Sequence, residues 1–545
     1  MMRNLFLAVI SIALFSCAPD KIPADLLVIN ANIYTVDNEF SKASSFVVKD
    51  GKILEVGLKP ELELKYFSEK TYDAKGYTIL PGFIDAHAHL YGLGLSLQNV
   101  DLVGTKSFDE VLGRLVAFQA DQQVSYITGR GWDQNTWESK EFPTKHKLDT
   151  LFPDTPVALR RIDGHALLVN SKALELAGIT AETKMSGGEV VLENGEPTGI
   201  LIDSPMQLVN QTIPAATEEV STKALFEAEQ IALKHGLTTV DDAGLDRNII
   251  ELIDTLQKQD KFKLRVYAMV SNSPENLDYY LKQGIYKTDR LNVRSFKIFS
   301  DGALGSRGAA LRKPYSDKHN HYGAMITPSD SLDYIASRLA KSEFQMNTHA
   351  IGDSANVSVL RTYKKALEDG VDRRWRVEHA QIISEEDFEY FNGNILPSVQ
   401  PTRATSDMYW AEDRIGKNRM KGAYANKILL DKAGKIALGT DFPVEKVNPM
   451  HTFYAAVARK DLNNYPEDGF QMEHALSREE TLRGMTIWPA YFNFEENEKG
   501  SIEERKFADF IVIDTDIIKA AIDEIPNTKV FATFINGEMV YEAEE

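Results

Sequence analysis

Two histidines one residue apart close the apolar run in FIDAHAHL (83–90). Side chains alternate faces along a β-strand, so His87 and His89 point the same way. Later apolar runs end in further reactive groups: Lys297 in RSFKIFSDG, His349 in FQMNTHA, His379 in RWRVEHAQ and Asp441 in KIALGTDF. Neutral imidazole and carboxylate are suited to zinc or a similar divalent ion. The groups are spread from residue 87 to residue 441, so only a closed tertiary structure can bring them together. A second His-x-His, His319 and His321 in KHNHYG, has no apolar strand leading into it and reads as a solvated loop. His235 reads as a helix-end residue, and His146, His451 and His474 have no supporting context.

The elements that must position these groups are short apolar strands alternating with helical stretches, the pattern of βα units and a parallel sheet. Strands are expected at 82–89, 237–243, 264–270, 294–302, 344–350, 374–381, 395–400 and 435–442. Eight such strands fit a (β/α)₈ TIM barrel, whose active site lies at the C-terminal strand ends. The gap between the first two strands is too long for one crossover, so residues 95–220 are expected to form a large insertion. The runs 25–37, 45–57, 508–516 and 530–542 are β-rich, with Asp50-Gly51 and Asn536-Gly537 as hairpin signals. Both chain ends therefore suggest one small β-sandwich, residues 17–78 and 496–545, bracketing a barrel over 79–495.

With 545 residues, 43% hydrophobic and 26% charged, the chain has the composition of a large globular protein. A net charge of −19 argues against nucleic-acid binding. The N-terminal MMRNLFLAVISIALFSC has one early cation and an apolar run too short to span a bilayer, the proportions of a signal peptide over 1–16. Leu14-Phe15-Ser16-Cys17 resembles a bacterial lipobox, with Cys17, the single cysteine, as the lipidated residue. That resemblance implies a lipid-anchored protein of the cell envelope, with the outer membrane as the default destination.

The segment LPGFIDAHAHL, with the later Lys, His, His and Asp, resembles the amidohydrolase superfamily. FKIFSDGALGSRGAAL, NTHAIGD, VEHAQ, LGTDFPV, RIDGHALLVNS and NGEPTGILID resemble the subgroup that contains N-substituted formamide deformylases. The resemblance implies that His87 and His89 bind one metal and His349 and His379 a second. Carboxylated Lys297 would bridge two zinc ions, and Asp441 would ligate the first metal and shuttle protons. The implied reaction is attack on a non-peptide amide or N-formyl bond by metal-activated hydroxide. An uncarboxylated Lys297 paired with Asp301, with one metal bound, remains an alternative.

Asp163 and His165 in IDGHALL, Trp132 in GRGWDQNTW and Arg307 in GSRGAAL are expected substrate contacts. Trp132 reads equally as core of the insertion, and the alternative for Arg307 is a structural ion pair. Arg403 stands where the subgroup often has histidine, so no role is carried over to it. The expected partners are a small-molecule amide and the membrane through the lipid alone, with no nucleic acid and a homodimer left open. A cyclic-amide hydrolase, a metal-assisted isomerase or decarboxylase, and a catalytically silent envelope binding protein are the alternative functions.

Overall fold

The computed structural model describes residues 21–544, so the segment expected to be a signal peptide and Cys17 lie outside the described residues. Eight parallel strands form a TIM barrel: β1 (Phe83–Ala88), β2 (Leu237–Leu245), β3 (Arg265–Ser271), β4 (Leu291–Phe299), β5 (Gln345–Ala350), β6 (Trp375–His379), β7 (Ile395–Val399) and β8 (Ala437–Leu438). Each pairs with its successor. β1, β5, β6 and β7 are buried at every residue, as expected of parallel strands covered on both faces.

Strand β8 contributes only two residues, and the chain beyond it completes the closure against β1. Asp441 N donates to His87 O at 2.7 Å, and His89 N donates to Phe442 O at 2.8 Å. The Asp85 carboxylate reinforces the seam by accepting from Thr440 N at 3.0 Å and Thr440 Oγ1 at 2.7 Å.

Between β1 and β2 the chain builds a separate six-stranded mixed sheet, running from Val100–Asp101 to Glu196–Asp203. It carries its own apolar cluster, including Leu115, Trp132, Leu159 and Ile200. The two chain ends form a four-stranded and a six-stranded sheet. Val28, Phe46 and Val48 from one and Phe510 and Phe534 from the other share a single core. Thr78–Pro81 pairs antiparallel with Phe510–Ile513, which ties the start of the barrel region to the C-terminal sheet. The Asp50-Gly51 and Asn536-Gly537 turns hold both central residues at positive φ (51° and 74°; 55° and 72°), the signature of type I′ hairpins.

The helix that follows β1, Leu90–Ser96, packs closely on the long helix Glu218–Lys234. Gly94 permits this approach, since a methyl built there would overlap the Ala224 carbonyl. Gly94→Ala should force the helices apart and cost about 1–3 kcal/mol, read as a lower urea midpoint with an unchanged m-value.

Candidate metal centre

His87, His89, Lys297, His349, His379 and Asp441 all lie at the C-terminal mouth of the barrel, on β1, β4, β5 and β6 or just beyond β1 and β8. One ligand atom each from His87, His89 and Asp441 falls within 4.8 Å of the others. His89 Nε2 is 3.3 Å and His87 Nε2 3.7 Å from Asp441 Oδ1. The His379 ring centroid lies 4.8 Å from that of His87 and 4.5 Å from that of His349. Lys297 Nζ donates to His87 Nε2 at 2.9 Å. Asp301, the alternative partner for this lysine, instead accepts from the backbone N–H groups of Ala310, Ile351 and Gly352 at 2.8–3.0 Å.

A set of supporting polar groups aims the imidazoles. His87 Nδ1 donates to Glu378 Oε2 at 2.6 Å, and His379 Nδ1 donates to Gln400 Oε1 at 2.6 Å. Both rings therefore keep their Nε2 lone pairs for the centre. His349 Nε2 faces the Gly302 carbonyl at 3.4 Å, which leaves its Nδ1 as the free nitrogen. Such outer partners fix the tautomer and raise the basicity of a ligating histidine. Sequence reading missed Glu378 and Gln400, although Glu378 sits beside His379 in the quoted VEHAQ. It left Arg403 without a role, and the structure shows its Nη2 donating to Asp441 Oδ2 at 3.0 Å.

Burial holds His87 below the ordinary histidine range, with Lys297 adding to the effect. Burial holds His349 and His379 well below it, aided by His379 and by His87 respectively. Neutral imidazole is the form that ligates metal. Burial would raise the Asp441 carboxyl, but His89, His87, His379 and Arg403 outweigh it and hold it well below the usual carboxylate range. Burial lowers Lys297 to about 8, opposed by Glu378 and Asp441. The donor set fits a divalent ion: neutral imidazoles, one ionised carboxylate, and a buried Glu378 Oε1 that has no hydrogen-bond partner and favours nearby positive charge.

The substrate-contact residues divide. His165 reaches the centre, its ring 5.0 Å from that of His349, and its Nδ1 donates to Asp203 at 2.6 Å. Asp163, in the same loop, accepts from Arg161 Nη1 at 2.6 Å and from His165 N at 3.1 Å. It also lines a small cavity with Arg403 and Gln381. Trp132 is core of the insertion sheet, 1% exposed, with its indole N–H on Leu159 O at 2.8 Å, and does not face the centre. Arg307 pairs with Asp317 at 3.0 Å, the ion pair that is the other reading of this residue. His321 Nε2 is held by Arg307 O at 2.8 Å in a loop, apart from the centre.

A TIM barrel with histidines and a carboxylate gathered at its mouth defines a metal-dependent hydrolase. The chain belongs to the amidohydrolase family, whose profile matches residues 70–541. It is 32% identical to "Putative amidohydrolase YtcJ" of Bacillus subtilis (strain 168), over 94% of this chain and 98% of that one. It is 26% identical to "N-substituted formamide deformylase" of Arthrobacter pascens, over 95% and 98% of the two chains. "Protein LONG AFTER FAR-RED 3" of Arabidopsis thaliana is 32% identical over 96% of this chain and 92% of its own. Among solved structures, an uncharacterized metal-dependent hydrolase from Pyrococcus horikoshii OT3 superposes with a TM-score of 0.74. It is 29% identical and covers 91% of this chain and 99% of its own.

Glu378→Gln removes the carboxylate that polarises His87 while keeping its shape. Zinc affinity, measured by competition with a chromogenic chelator, should fall by roughly 10–100-fold with the fold intact by circular dichroism.

Proposed function

We propose that the protein hydrolyses a non-peptide C–N bond, of the linear amide or N-formyl type, at this centre. The observation that carries the reading is the approach of His87, His89 and Asp441 ligand atoms to within 4.8 Å at the barrel mouth. Similarity to an N-substituted formamide deformylase over nearly the full length of both chains supports the choice of bond.

In this reading His87, His89 and Asp441 would hold one divalent ion and His349 and His379 a second, with Lys297, as its carbamate, serving as an anionic ligand to both. When bound, the ions, taken as zinc, supply a water acidified toward neutral pH and polarisation of the substrate carbonyl. The protein's own groups then manage the protons. Asp441, whose Oδ1 faces His87 and His89 and whose Oδ2 accepts from Arg403, would take a proton from the attacking water and pass it to the departing nitrogen. That transfer is needed because an amide anion is a poor leaving group. His165, whose Nδ1 donates to Asp203 and whose pKa the neighbouring carboxylates, Asp203 first, raise against burial, would in its doubly protonated form donate from Nε2 toward charge developing on the carbonyl oxygen. The paired end sheets act as a β-sandwich beside the barrel, and residues 95–220 as an insertion that covers its mouth.

Protein grown with ample zinc and bicarbonate should contain about two metals per chain, and Lys297→Ala fewer. One metal in both would replace the bridged pair with a mononuclear site, and none in either would favour a silent binding protein. On N-formyl amines the parent should release formate and free amine. Asp441→Asn should lower kcat by roughly 10²–10⁴-fold, and chelation should abolish turnover until zinc is restored. The proposal also keeps the protein on the envelope through lipid at Cys17; Cys17→Ser should move it from the membrane to the soluble fraction.

A further inference from the structure

Two parallel strands of the insertion sheet, Ile127–Trp132 and Val157–Arg161, run side by side with Arg130 in register with Arg160. Paired positions on neighbouring strands present their side chains to the same face. Both arginines line a cavity of about 640 Å³ that is also bounded by the helix Leu90–Ser96 and by residues 213–220. Among the described residues no carboxylate lines it. Arg130 Nη2 donates to Ile162 O at 3.0 Å. Arg160 donates to Gly164 O at 3.1 Å and to Asn210 Oδ1 at 2.9 Å. Every hydrogen bond they make among the described residues thus ends on a neutral oxygen, and Arg130 Nε is buried with no partner.

This is unusual in a chain with 80 acidic against 61 basic residues, where acids to pair with arginine are plentiful. Two half-buried guanidiniums held side by side repel each other, and arginine does not readily relieve the repulsion by losing a proton. An anion between them would remove that cost and could accept bidentate bonds from the planar forks. The remaining walls include Leu95, Val124, Leu167, Ile213 and Val220, which suit an apolar body rather than a bare inorganic ion.

The cavity and the metal centre lie on opposite flanks of the loop 161–165. A methyl built on Gly164 would stand 3.7 Å from both terminal nitrogens of Arg130, while the next residue, His165, packs its ring 5.0 Å from that of His349. Burial and Arg160 pull Arg130 down to about 10, and Asp441 and Asp163 are close enough to oppose them.

We propose that Arg130 and Arg160 bind the carboxylate of an acid whose apolar body fills this cavity, a ligand site set beside the loop that carries His165 to the metal centre.

Calorimetric titration of the metal-loaded full-length protein with 4-phenylbutyrate and with neutral 4-phenylbutan-1-ol tests the site. The acid should bind at least about tenfold more tightly, as expected for a charge-assisted bidentate contact. Arg130→Gln and Arg160→Gln should each bring the two ligands close to parity, whereas Arg160→Lys, which keeps the charge, should retain a preference for the acid. The ratio of the two ligands within each variant reads the site independently of any general loss of stability. Equal binding by the parent, or an undiminished preference in both Gln variants, would overturn the proposal. Displacement of phenylbutyrate by equimolar inorganic phosphate would overturn the assignment to an apolar acid. An Arg-dependent acid preference without formate release from any N-formyl amine keeps this site and removes the hydrolase reading. Formate release without acid preference does the reverse.

Discussion

Asp85 stands at the point on which the site depends. Its carboxylate accepts from His87 N at 3.2 Å and from both the backbone and hydroxyl of Thr440, so one buried side chain clasps the first barrel strand to the last. Burial pushes its pKa up to about 7 against those hydrogen bonds, a measure of how far from water the clasp sits. Because β8 is so short, this carboxylate and the backbone bonds of Asp441 and Phe442 do the work a longer ladder would do. The same closure brings His87 and His89 to Asp441 across more than 350 residues of chain. Asp441 is held at φ 62° and His379 at φ 71°, left-handed conformations that non-glycine residues adopt at a cost and that cluster at functional sites.

Beneath the centre the barrel interior is charged rather than purely apolar. Arg376, two residues before Glu378 and therefore on the same face, donates to Asp241 at 2.8 Å, and Asn493 donates to the other Asp241 oxygen at 2.8 Å. Arg376 also bonds the Asn493 amide oxygen. All three side chains are buried. This layer supplies the floor on which Glu378 stands, and Glu378 in turn orients His87. The arrangement runs from a paired structural charge, through an orienting carboxylate, to a neutral imidazole whose Nε2 lone pair faces Lys297. Each step is set by hydrogen bonds made where no water competes.

The insertion supplies what the barrel lacks. Its loop 161–165 is braced from within, Arg161 bonding Asp133, Asp163 and Gln134 together. That bracing carries His165 to the barrel mouth while the insertion's own core absorbs Trp132 and its aromatic neighbours Trp137 and Phe142. A rigid scaffold with a specificity-bearing loop laid over its active face is a common division of labour in this barrel class.

The sequence by itself determined the periodic features. The barrel strands were legible as short, largely apolar runs, because strands covered on both faces favour apolar residues, although the last, expected over 435–442, is only Ala437–Leu438. The Asp-Gly and Asn-Gly turns were legible because their backbone conformation demands those residues. The six reactive groups could be named because they sit where such runs end. Tertiary structure alone decided the partners: Glu378 for His87, Gln400 for His379, Asp203 for His165, Arg403 for Asp441, and Arg130 beside Arg160. It also decided that Trp132 is core and that Arg307 belongs to Asp317. The physical reason is range. Hydrophobic period and turn chemistry act over a few neighbouring residues and leave a mark in the sequence, whereas a hydrogen bond between residues 87 and 378 leaves none until the barrel closes around it.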